Sequence, residues 1–550
     1  MNGDTRPSLV ETGKGLTVRY RDRFLYSARD PERIPALTAA SAAYLPETLV
    51  VCPSPLLGYG LRELLARLPE RSFVLCVEYD PVLHALSENS IPREVRDDSR
   101  IRFIRPDSIA AVCDAIERLP GFPFRRCARV ELSAGSSLTP DLWDDTIRAV
   151  DSVIGTYWKN RVVMMRLGRG FARNLLVNAG LLPGAKPVAP RSVGKPLFVA
   201  GAGPSLDATL PFVRANRASL FVLAVDTALP ALRSSGIVPD AIVVLESQYW
   251  IERAFIGFKN SRIPVFADMT ARPQAIRCPG GEISFFHTRY APSRFLDRFA
   301  SSGIAPIEAP RLGSVGLSAL WLAKILARGG APVFLSGLDF SWGRGFTHAR
   351  DSVASLADRA ASTRLSPAGM AANAFSFGVA ETPAKNGARA RTDPALAGYA
   401  ALCRDAFAGT PGVYDLGETG IDNGLPPASL SDAERMLGRA NASADADTVT
   451  SPDGEDAKNA EPDGETRERA MRFLSGERER LGALRAMLTG ETPEGNALEA
   501  IAALDYLYLH FPDGHAGPVE SQGFLNRVRV ETEYFLKALE YRARVSSLSS

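Results

Sequence analysis

Short apolar runs alternate with amphipathic stretches through most of this 550-residue chain. That alternation is how a protein with a parallel sheet and covering helices lays down its elements. In the first 180 or so residues the pattern predicts strands at Thr48–Cys52, Phe73–Cys76, Ile101–Ile104 and Val130–Leu132, with a helical GLRELLARL between the first two. A second alternating region predicts strands at Leu197–Ala200, Leu220–Val225, Ala241–Leu245, Pro264–Ala267, Ile283–Phe286 and Val333–Ser336. Helices are expected between them at Leu206–Asn216, Ala228–Ser235 and Val315–Arg328. The last carries Leu317, Leu320, Trp321, Ile325 and Leu326 on about one helical face.

Asn441–Thr466 breaks the pattern. Its eight acidic residues, one lysine and lack of bulky apolar side chains cannot offset chain entropy, which predicts a disordered acidic linker. Three helices are expected after it, near Glu465–Thr489, Ala497–Phe511 and Gln522–Val545. The expected architecture is therefore α/β: a central Rossmann-like parallel-sheet domain, an N-terminal α/β domain and a C-terminal helical module. The boundaries read as 1–184, 185–425, a linker over 426–466, and 467–550.

Composition narrows the function classes. Hydrophobic residues make up 45% and charged residues 23%, ordinary for a protein with sizeable cores, and a net charge of +2 gives no general attraction to nucleic acid or anionic membranes. The six cysteines form no Cys-x-x-Cys pair and several sit in apolar runs, so free thiols are expected rather than disulfides. No apolar run approaches the ~18 residues of a membrane span, and the N-terminus lacks a basic-then-apolar pattern. A cytoplasmic protein without membrane insertion is the expectation.

Two glycine-bearing turns follow predicted strands. Gly201-Ala202-Gly203-Pro204-Ser205-Leu206-Asp207 leads from a strand into a helix, where unpaired amides and the helix dipole favour an anion. The alternative is a plain tight strand-to-helix turn. The third glycine of the dinucleotide fingerprint is replaced by Leu206, and no P-loop occurs nearby. The other turn, Pro53–Gly60, is followed by Glu78 at the end of the next strand, resembling the nucleotide-binding half of a Rossmann-like methyltransferase, where an acidic residue holds a ribose. Its glycine pattern is degenerate and Pro53 and Pro55 crowd it, so a structural role is expected there.

Ligands of parallel sheets sit beyond the C-terminal strand ends. In the central region those ends carry Gly201–Ser205, Asp226 and Thr227, Glu246 and Ser247, Asp268, His287, and Gly337 to Asp339. Any one is equally a helix cap; together they predict one crevice. His348, in a glycine-rich loop past a strand end, suits proton transfer or stabilisation of a leaving phosphate. His84 and His510 read as structural. No zinc-type cluster and no Gly-x-Ser-x-Gly elbow occurs, so zinc and nucleophilic hydrolase chemistry are not expected; Asp226, Glu246, Asp268 and Asp339 could jointly hold Mg2+, with hydroxyl binding and helix capping as the other readings.

GAGPSLD, AVDTAL, GIVPDAIVVLES, LGSVGLSALWLAKILARGGAPVFLSGLDFSW with THA, TDPALAGYA and VYDLGETGI together resemble the motility-associated factor (Maf) flagellin glycosyltransferases. The resemblance covers about 185–425 and extends to 6-hydroxymethylpterin diphosphokinase-like proteins and bacterial sialyltransferases. It implies transfer of a nonulosonic acid, pseudaminic or legionaminic, from a CMP-activated donor to Ser or Thr of flagellin, with no cofactor required. Carried over, Gly201, Gly203, Pro204, Ser205, Asp226, Thr227, Glu246, Ser314 and Gly337 would bind the nucleotide, and His348 with Asp339 would be catalytic. Asp226 and Glu246 depart from the asparagines of such sialyltransferases, because a carboxylate accepts but does not donate. Residues Ala349–Ala390 would form a lid. Expected partners are flagellin, a nucleotide sugar and a second copy of the chain. The alternatives are a diphosphokinase using Mg2+-ATP on a pterin alcohol and a non-catalytic flagellar assembly protein.

Overall fold

The computed structural model describes residues 6–120, 122–343, 347–365, 367, 378–446, 464–491 and 496–547. The chain forms two compact units, Met1–Val163 and Met164–Ser550.

In the first unit, an antiparallel ribbon of β1 (Ser8–Glu11), β2 (Leu16–Tyr20) and β3 (Arg23–Phe24) precedes a parallel sheet. The sheet contains β4 (Thr48–Pro53), β5 (Phe73–Val77), β6 (Ile101–Ile104) and β7 (Arg126–Arg129) in the order β6-β5-β4-β7. The central strands β4 and β5 are buried throughout and almost wholly apolar because both faces are covered. The last strand lies over Arg126–Arg129 rather than the expected Val130–Leu132. Thr48 to Val51 pair with Arg126 to Arg129, and the apolar Val130 and Leu132 are buried just past the strand. An edge strand needs less apolar character, which hides it from a hydrophobicity reading.

The second unit is built on an eight-stranded sheet. Its strands are β8 (Leu197–Ala200), β9 (Phe221–Val225), β10 (Ala241–Val244), β11 (Val265–Asp268), β12 (Ile283–Thr288), β13 (Glu308–Ala309), β14 (Val333–Ser336) and β17 (Val413–Asp415). The order is β13-β12-β11-β10-β9-β8-β14-β17, and every pairing is parallel. A hairpin of β15 (Ala380–Pro383) and β16 (Arg389–Thr392) stands apart from it. The chain winds from β8 towards β13, then returns to place β14 on the other side of β8. The strand ends of β8 and β14 therefore flank the topological switch point. The α/β class and parallel central sheet are as the sequence predicts.

The division between the two units falls between Val163 and Met164. A 40-residue helix, Pro140–Ala179, ends inside the second unit, where Ala172, Leu175, Leu176 and Ala179 join its core. Asn174 Nδ2 donates to the carbonyls of Ser247 and Thr270, each at 3.0 Å, and Asn178 Nδ2 to those of Met269 and Ala271 at 3.0 and 2.9 Å. These two asparagines satisfy buried carbonyls after β10 and β11.

The expected linker differs as well. Leu430–Ala446 is a helix, seated by buried Ala433 and Leu437; residues 447–463 lie outside the described residues. The helices Gly464–Thr489 and Gln522–Ser547 pack on the same core as the sheet. The expected helix Ala497–Phe511 ends at Ala503 and continues as a tight turn over Asp505–Leu507. Asp505 there accepts from Ser293 Oγ at 2.9 Å and from the amides of Arg294 and Phe295 at 2.7 and 3.2 Å, capping the helix Arg294–Ser301. Arg298 grips Glu477 at 2.7 and 3.0 Å. The C-terminal helices thus belong to the same compact unit as the sheet.

No described helix is long and apolar enough to cross a membrane. All six cysteines are free.

Candidate functional site

The turn after β8 and the loop after β14 lean on one another, and this contact explains the glycines. Gly203 N donates to Gly337 O at 2.8 Å, and a Cβ on Gly203 would stand 2.3 Å from Asp339 Oδ2. Gly337 has φ +81°, and its Cβ would stand 2.4 Å from Gly201 O.

Ser205 and Asp339 lock the two loops together. Asp339 Oδ2 accepts from Ser205 N at 3.0 Å and from Ser205 Oγ at 2.9 Å, and Oδ1 accepts from Thr419 Oγ1 at 2.9 Å. Ser205 Oγ in turn accepts from Gly337 N at 2.9 Å. Burial outweighs these donors and pushes the Asp339 carboxyl up to about 6. The amides of Leu206, Asp207 and Ala208 turn back on Gly203, Pro204 and Ser205 carbonyls. The expected anion cradle at Gly201–Ser205 is thus largely consumed by internal hydrogen bonds, and Ser205 is buried as a brace.

The same turn also holds His348. Ala202 O accepts from Ala349 N at 2.9 Å, and the Asp207 carboxylate accepts from Arg350 N at 3.1 and 3.2 Å. His348 Nδ1 lies 2.9 Å from Thr347 Oγ1, and Nε2 has no hydrogen-bond partner among the described residues. The tautomer that donates Nδ1–H to Thr347 leaves Nε2 as an acceptor. Burial holds this imidazole below its ordinary range, so it is neutral at pH 7.

Between these loops lies a cleft of about 370 Å³ at the switch point. Gly201, Gly203 and Gly337 line it, with Asp339 and Trp342, and His348 closes it. Ser314, Val315 and Gly316 border it at the start of the helix Val315–Leu326. Ser314 makes no side-chain cap, the first turn holds no acidic residue, and the amides of Val315, Gly316 and Leu317 have no acceptor among the described residues. This uncapped helix start, rather than the one after Gly203, offers donors to an anion. Leu396 and Tyr399 also line it, on a helix whose start Asp393 already caps.

A second lobe of about 270 Å³ shares Asp339, Ser341, Trp342 and His348 with the first and adds Pro204, Arg350, Asn386 and Arg389. Trp342 sits at the junction. It is 4% exposed, and its indole Nε1–H has no partner among the described residues. Its backbone is pinned to β16, giving Arg391 O a hydrogen bond at 2.9 Å and taking one from Arg391 N at 2.8 Å. Sequence reasoning missed Trp342 because its pairing partner lies 49 positions on, in a hairpin no pattern announced.

The remaining expected residues divide. Thr227 lines the cleft, whereas Asp226 and Glu246 do not. Asp226 is buried; Oδ1 accepts from Thr227 N at 2.7 Å, Oδ2 has no partner among the described residues, and burial beside Glu246 pushes its carboxyl up to about 7. Glu246 Oε1 accepts from Gln248 N at 2.9 Å. Asp268 is consumed by Thr270 and Thr288, and His287 is buried against Phe299. The strand-end set thus splits into a cleft around β8, β9 and β14 and a structural group further along the sheet. In the expected lid, Val353–Ala360 is a helix and β15 and β16 form a hairpin, while residues 366 and 368–377 lie outside the described residues. Among the described residues no three His, Cys, Asp or Glu side chains group as a metal site.

Residues 171–345 match the family model of 6-hydroxymethylpterin diphosphokinase MptE-like proteins, a span that carries both central loops and stops just before His348. The whole chain is similar in fold to a Maf glycosyltransferase from Magnetospirillum magneticum AMB-1, with a TM-score of 0.55 and 15% identity over 98% of this chain and 87% of that one. A protein of Treponema pallidum (strain Nichols), described as uncharacterized, is 35% identical over 548 residues, which is 97% of this chain and 95% of its own length. Identity at that level, sustained along nearly the whole of both chains, means that this chain belongs to the family of the Treponema pallidum protein.

Proposed function

We propose that the protein is a transferase that moves a group from a nucleotide-activated donor to a hydroxyl acceptor. The observation that carries this reading is a two-lobed cleft at the switch point in which a neutral His348 and an unpartnered Trp342 N–H meet an uncapped helix start. The nucleoside lies in the first lobe against Leu396 and Tyr399, its phosphate facing Ser314 and the amides of Val315 and Gly316. The transferred group lies in the second lobe, and the Trp342 N–H donates to the phosphate oxygen between them. His348 Nε2 takes the proton of the acceptor hydroxyl; the acceptor oxygen then bonds to the transferred group as its bond to the donor phosphate breaks. Charge growing on the departing phosphate is met by donors already in place. Asp339 positions the loops and takes no proton in this scheme.

Two donors fit this chemistry. Likeness of fold along the whole chain to a Maf glycosyltransferase supports glycosyl transfer, with a nonulosonic acid leaving CMP for Ser or Thr of flagellin. Arg350 and Arg389 in the second lobe suit the carboxylate of such a sugar. The family-model match supports the second reading, pyrophosphoryl transfer from ATP to a pterin alcohol. That reaction calls on Mg2+, and the carboxylates here fit the ion poorly: both oxygens of Asp339 and one of Asp393 are committed to internal donors. No step is assigned to it.

Calorimetry with CMP, and with ATP in the presence and absence of Mg2+, decides between them. Metal-independent CMP binding supports glycosyl transfer. Binding of Mg2+-ATP alone supports pyrophosphoryl transfer, and binding of neither removes the transferase reading.

A further inference from the structure

The first unit contains a larger cavity than either central lobe, and nothing in the proposed transfer uses it. Its volume is about 720 Å³, and it is bounded by the end of β5, the edge strand β6 and the helix Pro81–Ser90. Glu78, the first residue beyond β5, lines it while only 3% exposed. Its Oε1 accepts from Asp80 N at 2.9 Å, but Oε2 is buried with no hydrogen-bond partner among the described residues. A buried carboxylate oxygen left unpaired costs free energy that a packing role does not return. Ile91, Ile101 and Phe103 supply apolar lining. Arg102 and Arg105 line it from exposed positions on and just after β6, and neither has an ion-pair partner among the described residues.

A single ligand chemistry answers all three features. We propose that this cavity is a second nucleotide site: ribose hydroxyls donate to Glu78 Oε2, the base lies on Ile91 and Phe103, and the phosphate pairs with Arg102 and Arg105. A hydroxyl donor fills the vacant acceptor at the sheet's C-terminal edge, where parallel sheets receive ligands. A free phosphate alone would leave Glu78 unsatisfied, and an apolar ligand would leave both arginines unused. The volume accommodates a nucleoside monophosphate with its solvation.

The test is calorimetric titration of the full-length chain with AMP, adenosine and inorganic phosphate. AMP is expected to bind at least fivefold more tightly than adenosine. Glu78→Ala, and separately the double substitution Arg102→Ala with Arg105→Ala, should each weaken AMP at least fivefold. The arginines are exposed, so the double variant keeps the test decisive if Glu78→Ala unfolds. All titrations are repeated in chains carrying Trp342→Phe, which weakens nucleotide binding in the central cleft, so that binding there is told apart and failure of the transferase reading leaves this result intact. AMP binding that the arginine variant changes by less than fivefold, or that Trp342→Phe weakens by about tenfold, overturns the proposal, as does the absence of AMP binding at millimolar concentration.

Discussion

Ser205 and Asp339 stand 134 positions apart and share two hydrogen bonds, amide and hydroxyl of the serine both donating to one carboxylate oxygen. They join the loop after β8 to the loop after β14, the two loops that form the floor of the central cleft. Disrupting the pair should therefore cost stability before it costs chemistry. Ser205→Ala is expected to destabilise by about 1–2 kcal/mol and Asp339→Ala by about 2–4 kcal/mol, since the latter orphans three donors. A double-mutant cycle by urea unfolding should return a coupling of about 1–3 kcal/mol.

His348 makes the opposite prediction. Its backbone neighbours, rather than its ring, tie the loop to Ala202 and Asp207. His348→Ala should leave the unfolding midpoint nearly unchanged and lower turnover by about 10²–10⁴-fold, the range for loss of a general base. Intact-mass measurement of the acceptor reads the loss. In the native chain, kcat should fall as pH drops below the ordinary imidazole range, because burial has lowered the pH at which His348 takes up a proton.

Trp342→Phe removes one N–H and keeps most of the ring. The expected result is nucleotide affinity weakened by about tenfold, as for a hydrogen bond to a charged group, with a small change in stability. Isothermal titration with the nucleotide identified above measures it. Unchanged affinity would mean that the buried indole N–H faces no ligand oxygen.

Asp226 gives a pH dependence with a definite sign. Its folded value is raised from 3.8 to about 7, so the protonated form favours folding. That contribution is complete below about 4 and is lost as pH rises through about 7, with Glu246 adding repulsion once both are charged. Asp226→Asn stays neutral and still accepts from Thr227 N. Its stability relative to the native chain should rise between pH 5 and pH 8, read from urea midpoints at each pH.

Much of the frame was legible before any coordinates. The runs at Leu197–Ala200 and Val333–Ser336 are strands at those bounds because parallel strands buried on both faces read as near-continuous apolar runs. The glycine turn after β8 was visible too, and Gly201 and Gly203 line the cleft. Its glycines answer to the backbone of Gly337 and the side chain of Asp339, which no local pattern reveals.

What the sequence determined by itself is the run of apolar strands and amphipathic helices in the central region, since propensity and periodicity act over a few residues. It also placed the crevice among strand-end residues, of which Gly201, Gly203, Thr227, Gly337 and Asp339 line the cleft. Only the tertiary structure decided which strand ends meet, because the pairing of β8 with β14 joins Leu197 to Val333, 136 positions apart. It alone separated Asp339 and Ser205, whose hydrogen bonds are used up internally, from Trp342 and the helix start at Val315, whose donors are left open. Hydrogen-bond satisfaction is a property of the folded neighbourhood, and a residue's letter does not carry it.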